Sequence, residues 1–161
     1  MVKSYPSELW ITAVNNGVQV LGGYGFCSDY ILQQYLRDIR ISAIYEGTTG
    51  IQSQDLLGRK ITMENGKALH LLSEEIQECI RAASNHDILK PYAQKLGEKL
   101  QLTQKVLQSL MVYAQKGDFQ RFLADATPFM EFFSTIVIAW QWLAIAVKAQ
   151  AALVIGSDSY G

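Results

Sequence analysis

The stretch LWITAVNNGVQVLGGYGF, Leu9 to Phe26, decides the fold class. Leu9, Trp10, Ala13, Val14, Gly17, Val18 and Leu21 recur at spacings of three and four, the signature of one helix face. Pro6 suits a first turn and Gly22-Gly23 suits a stop, so a helix is expected over about Pro6 to Leu21. The GGYGF that ends the stretch has the look of a dinucleotide-binding loop. Such a loop follows a strand inside a βαβ unit, whereas here a helix precedes it and no parallel sheet is at hand. Paired glycines end helices cheaply, but Gly25 follows at once and Gln19 lies one turn before them, which leaves open a close backbone approach to a ligand.

Helical spacing continues along the chain. Ser28 and Asp29 are placed to cap a second helix ending near Arg37, and the β-branched residues between Asp38 and Tyr45 predict an extended connection. The sequence GTTG then opens a helix over about Thr49 to Lys60, with Ile51, Leu56 and Leu57 inward and a break or bend at Asn65-Gly66. Leu69, Leu72, Ile76, Cys79, Ile80 and Ala83 trace the next stripe. Tyr92, Leu96, Leu100, Val106, Leu107, Leu110 and Met111 trace another, with Pro91 in its first turn and Gly117 past its end. The last helical region starts at Asp118, is restarted or kinked by Pro128, and runs to about Ile155. The expected fold is all-α, a bundle of about five to seven helices forming one helical domain over the whole chain.

Composition narrows the function classes. With 161 residues, 49% hydrophobic and 18% charged, the chain can bury a real core. Fourteen Lys and Arg against fifteen Asp and Glu give a net charge of −1, with no basic stripe for a phosphate backbone, so nucleic acid is not an expected partner. Cys27 and Cys79 are far apart and lack C-x-x-C spacing; they are expected as reduced, mostly buried thiols of a cytoplasmic protein, with no metal site. The segment Phe132 to Ile155 approaches spanning length, but Gln141, Lys148 and Gln150 interrupt it and no basic flank orients it. A buried core helix is expected there, with no membrane span.

The chemistry concentrates in RDIRISAIYEGTTGIQ, Arg37 to Gln52. His70 falls with Ser73, Gln77 and Ser84 on a polar helix side and His86 in a loop, both without a catalytic neighbour at motif spacing. Glu46 differs. It stands just before a helix opened by Thr48, Thr49 and Gly50, where free amides and the helix dipole favour a carboxylate. On its residues alone that is either a helix-end carboxylate or a reactive one.

Gln19 followed by GGYGF, then RDIR at Arg37 to Arg40, then IYEGTTGIQ at Ile44 to Gln52 resembles the C-terminal helical domain of the acyl-CoA dehydrogenase family. That family carries paired signatures Q-x-x-G-G-x-G and I-Y-E-G-T, and the interval from Gln19 to Glu46 agrees with its medium-chain type. The resemblance is strongest over residues 5–60. The stretch EGTTGIQSQDLLGRK and the additional helices over residues 66–155 look most like larger bacterial members with an extra C-terminal helical segment.

The resemblance implies an oxidoreductase. Glu46 is then the base that takes the α-proton of an acyl-CoA thioester while the β-hydride passes to FAD. Gln19, Gly22, Gly23 and Thr48 are implied cofactor contacts, Gln19 and the glycines toward the FAD of a neighbouring subunit, so a homo-oligomer is implied too. The apolar neighbours Ile44 and Tyr45 suit a desolvated base. One departure is Gly50, where medium-chain members usually place a cofactor-contacting glutamine. The family's N-terminal helical and middle β-domains have no counterpart here, and the ending LVIGSDSYG offers no finished element. The chain is therefore expected to be a fragment, inactive alone, of an enzyme whose electron acceptor is an electron-transferring flavoprotein. The competing class is a non-catalytic helical oligomerisation or scaffold module.

Overall fold

The computed structural model describes residues 3–157. Among them are eight α-helices and no strand: α1 (Ser4–Leu21), α2 (Gly23–Phe26), α3 (Leu32–Arg40), α4 (Thr49–Asp55), α5 (Lys67–Ser84), α6 (Lys90–Gln115), α7 (Phe119–Ala124) and α8 (Ala126–Ser157). The all-α expectation holds; the count exceeds it because GYGF forms a single helical turn of its own and Asp125 separates α7 from α8. The ring of Pro128 occupies the space of the Ala124 carbonyl in any continuous helix, and Pro128 offers no N–H to that oxygen. The terminal DSYG lies outside the described residues.

α8 is the element on which the others converge, packing against α4, α5 and α6. Toward its start, Ala126, Phe129 and Phe133 join Leu57, Ile61, Leu107, Leu110 and Phe122 in one core. Further along, Ile136 and Leu143 join Ile76, Ala83, Leu89, Ala93, Leu96 and Leu100 in a second. Phe129 and Phe133 stack with ring centroids 5.8 Å apart. The expectation of a fully buried α8 is met on one face only. Trp142, Ile145 and Leu153 of α8 are exposed, and its segment Ala126–Leu153 is long and apolar enough to cross a membrane by length and composition alone.

Several local expectations are corrected. Ser28 and Asp29 cap nothing; residues 27–31 form turns, with the Tyr30 N–H donating to the Cys27 carbonyl at 3.3 Å and the Tyr30 ring edge-on to Tyr24. Residues 38–43 are helical, α3 running to Arg40 and a 3-10 turn covering Ile41–Ala43. β-Branching is a weak preference that packing overrides: α3 lies along α1, where Gly17 admits Leu32 so closely that a Cβ would meet its Cδ1 at 3.2 Å. Arg37 and Arg40 in the last turn favour the same outcome through the helix dipole.

The expected Thr49–Lys60 helix changes character midway. α4 ends at Asp55, and Leu56–Lys60 winds as a π-helical turn, with the Ile61 N–H donating to the Leu56 carbonyl at 3.0 Å. Gly58 faces Leu123 there, an added Cβ falling 3.3 Å from its Cδ2. The Arg59 guanidinium beside Asp55, aided by Lys60, holds that carboxyl below its usual range. Ile51 points outward, because the inward face of α4 and its extension is Ser53 and Leu57, one turn apart and fully buried. Ile51 stands two residues before Ser53, about 200° round the helix. The Ser53 hydroxyl donates to the Gly50 carbonyl at 2.7 Å and meets Thr127 Oγ1 at 3.0 Å, which docks α4 on α8.

Glu64, Asn65 and Gly66 all take positive φ, so the expected break at Asn65-Gly66 is a run of left-handed residues. Tyr92 is exposed, unlike the remainder of its stripe, because it sits in the first turn of α6. Cys79 is half-buried, and burial pushes its thiol up from the ordinary value, but Cys27 is exposed, contrary to expectation.

Two substitutions separate the inward from the outward face. Ile76→Ala, at a fully buried position, is expected to cost about 2–5 kcal/mol in urea unfolding, and Ile51→Ala to change stability by less than about 0.5 kcal/mol.

Candidate functional site

The signature loop lies between the 3-10 turn and α4. Glu46 has φ 55 and Gly47 φ 95, two successive left-handed residues that reverse the chain. For glutamate that conformation costs roughly 1–2 kcal/mol, so neighbouring contacts must over-determine it. They do. Gln52 Nε2 donates to the Glu46 carbonyl at 2.8 Å. Lys3 Nζ donates to the Tyr45 carbonyl and, at 2.9 Å, to the Gly47 carbonyl, and it stands 4.8 Å from the Tyr45 ring centroid. Thr48 is the N-cap of α4, its hydroxyl accepting from the Ile51 N–H at 3.4 Å. The Thr49 hydroxyl donates to Glu8 Oε1, a second link from this loop back to the first turns of α1.

The Glu46 side chain itself is left untied. Among the described residues its carboxylate has no ion-pair partner and its backbone N–H no acceptor. It is exposed, as are Ile44 and Tyr45, so the desolvated setting expected for a base is not built by this chain's own atoms. A cleft of about 330 Å³ between α1 and α8 is lined in part by Thr49, Glu8 and Met130, and does not include Glu46.

Gln19, Gly22 and Gly23 stand at the other end of α1. At 1.5 Å per residue, α1 separates Gln19 from Ser4 by roughly 22 Å, so the structure does not bring these three together with Glu46 and Thr48. Gln19 is exposed. The three glycines of the turn differ in what requires them. Gly22 has φ 59, which a side chain resists. At Gly25 a Cβ would fall 2.5 Å from the Val18 carbonyl oxygen, so close helix packing requires it. Gly23 has neither reason: its φ is ordinary and an added Cβ meets nothing within 4 Å. His70 is exposed, with Nδ1 3.4 Å from Glu74, and no cluster of metal-ligating residues occurs among the described residues.

Sequence reasoning overlooked Lys3 and gave Gln52 no role. Gln52 could have been found, since it stands one helical turn into α4, within reach of the loop. Lys3 could not, because 42 residues separate it from Tyr45 and only the fold joins them.

Comparison with known proteins agrees with both halves of the chain. Residues 1–61 match the family described as acyl-CoA dehydrogenase, C-terminal domain, and residues 72–160 that described as acetyl-CoA dehydrogenase C-terminal like. Fold and signature loop together are those of a helical C-terminal dehydrogenase domain. The 3-methylmercaptopropionyl-CoA dehydrogenase of Ruegeria pomeroyi is 33% identical over 99% of this chain and 27% of its own length. A broad-specificity linear acyl-CoA dehydrogenase of Mycobacterium tuberculosis is 32% identical over 98% of the chain and 26% of its own. A butyryl-CoA dehydrogenase of Syntrophomonas wolfei is 39% identical over half of the chain. The chain belongs to the acyl-CoA dehydrogenase family, and it spans about a quarter of the length of the first two relatives.

The glycine assignments predict opposite effects on stability. Gly25→Ala is expected to lose about 1–3 kcal/mol through overpacking against Val18, whereas Gly23→Ala is neutral or gains up to about 1 kcal/mol, both read by thermal denaturation.

Proposed function

We propose that this chain is the part of a flavin-dependent acyl-CoA dehydrogenase that carries the catalytic base, Glu46, and one face of the cofactor site. The observation that supports the reading is the state of Glu46: on a left-handed turn whose carbonyls are tied, its carboxylate has no ion-pair partner and its N–H no acceptor among the described residues. A surface glutamate that only capped a helix would gain nothing from a strained backbone. Thr48 already caps α4.

In this reading the Glu46 carboxylate removes the α-proton of the acyl-CoA thioester, leaving the electron pair to form the α,β double bond as the β-hydrogen departs as hydride. The free N–H of Glu46 donates to the thioester carbonyl and stabilises the charge that grows there. An α-carbon acid is far too weak for a carboxylate in water, so the exposed Glu46 becomes effective only when other polypeptide and substrate exclude solvent around Ile44 and Tyr45.

FAD, when bound, supplies the acceptor for the β-hydride. The residues present fit such a group: Gly23 leaves its backbone open to close approach, Gln19 offers an exposed amide beside it, and the Thr48 O–H keeps its proton to donate while its oxygen caps α4. Gln19 and the glycines stand at the far end of α1 from the signature loop; as the family resemblance implies, Thr48 serves the cofactor of its own subunit and Gln19, Gly22 and Gly23 that of a neighbour, in a homo-oligomer.

The α1–α3 region supports the same assembly. Leu9, Trp10, Val20, Tyr24, Phe26, Ile31 and Tyr35 are exposed on it, a bare apolar face suited to the enzyme's other domains or to a second subunit. Residues 5–60 then bear the chemistry and the helices from 66 to 155 brace them. An electron-transferring flavoprotein reoxidises the cofactor.

The test is the visible spectrum of the protein made from its full reading frame, before and after addition of a panel of acyl-CoAs. Flavin that bleaches in wild type, with Glu46→Gln at least about a thousandfold slower, is the expected result, since the base is needed in the rate-determining proton transfer. A folded full-length protein without flavin would contradict it and leave a helical oligomerisation or scaffold module.

A further inference from the structure

We propose that Lys3 and Gln52 are positioning residues that set the direction of the Glu46 carboxylate; the proposal rests on the reading of Glu46 as the base. Three consecutive carbonyls, those of Tyr45, Glu46 and Gly47, are each met by a side-chain donor from outside the turn. Lys3 reaches the two outer ones from 42 and 44 residues away, and Gln52 holds the middle one. Side-chain bonds to single backbone carbonyls are ordinary; here three successive carbonyls of one exposed turn are each tied.

The arrangement does three things at once. It fixes the peptide planes on both sides of Glu46, so φ 55 at Glu46 and φ 95 at Gly47 are held rather than sampled. It occupies the acceptor side of those planes, which turns the Glu46 N–H outward with no partner among the described residues. And it does so without pairing the carboxylate, because Lys3 engages carbonyls and the Tyr45 ring and forms no ion pair with Glu46. A lysine bound to the carboxylate itself would weaken the base; one bound to the adjacent backbone orients it only.

Lys3 is itself anchored. The Ser7 hydroxyl donates to its carbonyl, and Ser7 is buried in the first turns of α1. The direction of Glu46 is therefore referred to α1, a rigid helix whose far end bears Gln19 and the glycines. Misplacing a reacting group by about 1 Å can cost about a hundredfold in rate, so loss of either tether acts on the chemical step.

The experiment uses the full-length flavoprotein and stopped-flow reduction by its best acyl-CoA. Lys3→Met and Gln52→Met are expected to slow flavin reduction by about tenfold to a hundredfold, with flavin content, KM and melting temperature near wild type, and Lys3→Arg, which keeps a cationic donor, to recover most of the rate. Deuterium uptake of the peptide spanning Tyr45–Thr49 should rise in the Met variants and not in Lys3→Arg. Unchanged reduction rates in both Met variants, or a loss of flavin and melting temperature that tracks the loss of rate, overturn the proposal while leaving Glu46 as the base. A wild-type flavin that no acyl-CoA reduces overturns the base assignment and this proposal together.

Discussion

Glu46 and Gly47 are two successive left-handed residues, and the placement of the Glu46 carboxylate depends on that turn keeping its conformation. The conformation is unfavourable for glutamate, so it persists through what surrounds it: Lys3 and Gln52 on its carbonyls, Thr48 capping the helix that follows, and Thr49 bonded to Glu8. Glu64 and Asn65 also take positive φ, at a break between helices, so the mark of the Glu46 turn is the set of side-chain ties on its carbonyls more than its backbone conformation.

The remainder of the fold holds the two sides of that turn. On one side α1 and α3 pack through Gly17 and Leu32. On the other, Ser53 and Leu57 dock α4 and its π-helical extension onto α8, which spans both hydrophobic cores. The two sides differ in how they are buried. Residues from Leu57 onward supply both core clusters, whereas the α1–α3 region contributes no large buried apolar side chain and exposes Leu9, Trp10, Val20, Tyr24, Phe26, Ile31 and Tyr35. The carboxylate-bearing region is thus the part of the chain whose own packing is least complete, which suits a surface meant to be covered by other polypeptide.

The all-α class, the extents of α1 and α6, the apolar stripe of α5 and a break at Asn65-Gly66 were legible because apolar spacing and glycine chemistry are local signals. The failures were equally physical. The β-branched run after Asp38 suggested extended backbone, but intrinsic preference yielded to packing along α1. The apolar character of Ile51 predicts an inward side chain, while the position that faces α8 is Ser53, a small polar residue whose hydroxyl finds partners at Gly50 and Thr127. Glu46, Thr48, Gln19 and the glycines stood out through their motif; the tether from Lys3 did not, since a lone lysine near the start of a sequence carries no spacing that reveals its target. The desolvation expected from Ile44 and Tyr45 failed because burial is a property of an assembly, and these side chains are exposed in this chain alone.

The most direct measurement is a crystal structure of the full-length protein with FAD and a slowly reacting acyl-CoA. A Glu46 carboxylate oxygen about 3–3.5 Å from the thioester α-carbon, with the Glu46 N–H on the thioester carbonyl and Gln19 and Gly23 against the cofactor of another subunit, is the expected result. A thioester bound away from Glu46, or a turn that has left the left-handed conformation in the loaded enzyme, would contradict the assignment of this loop as the catalytic element.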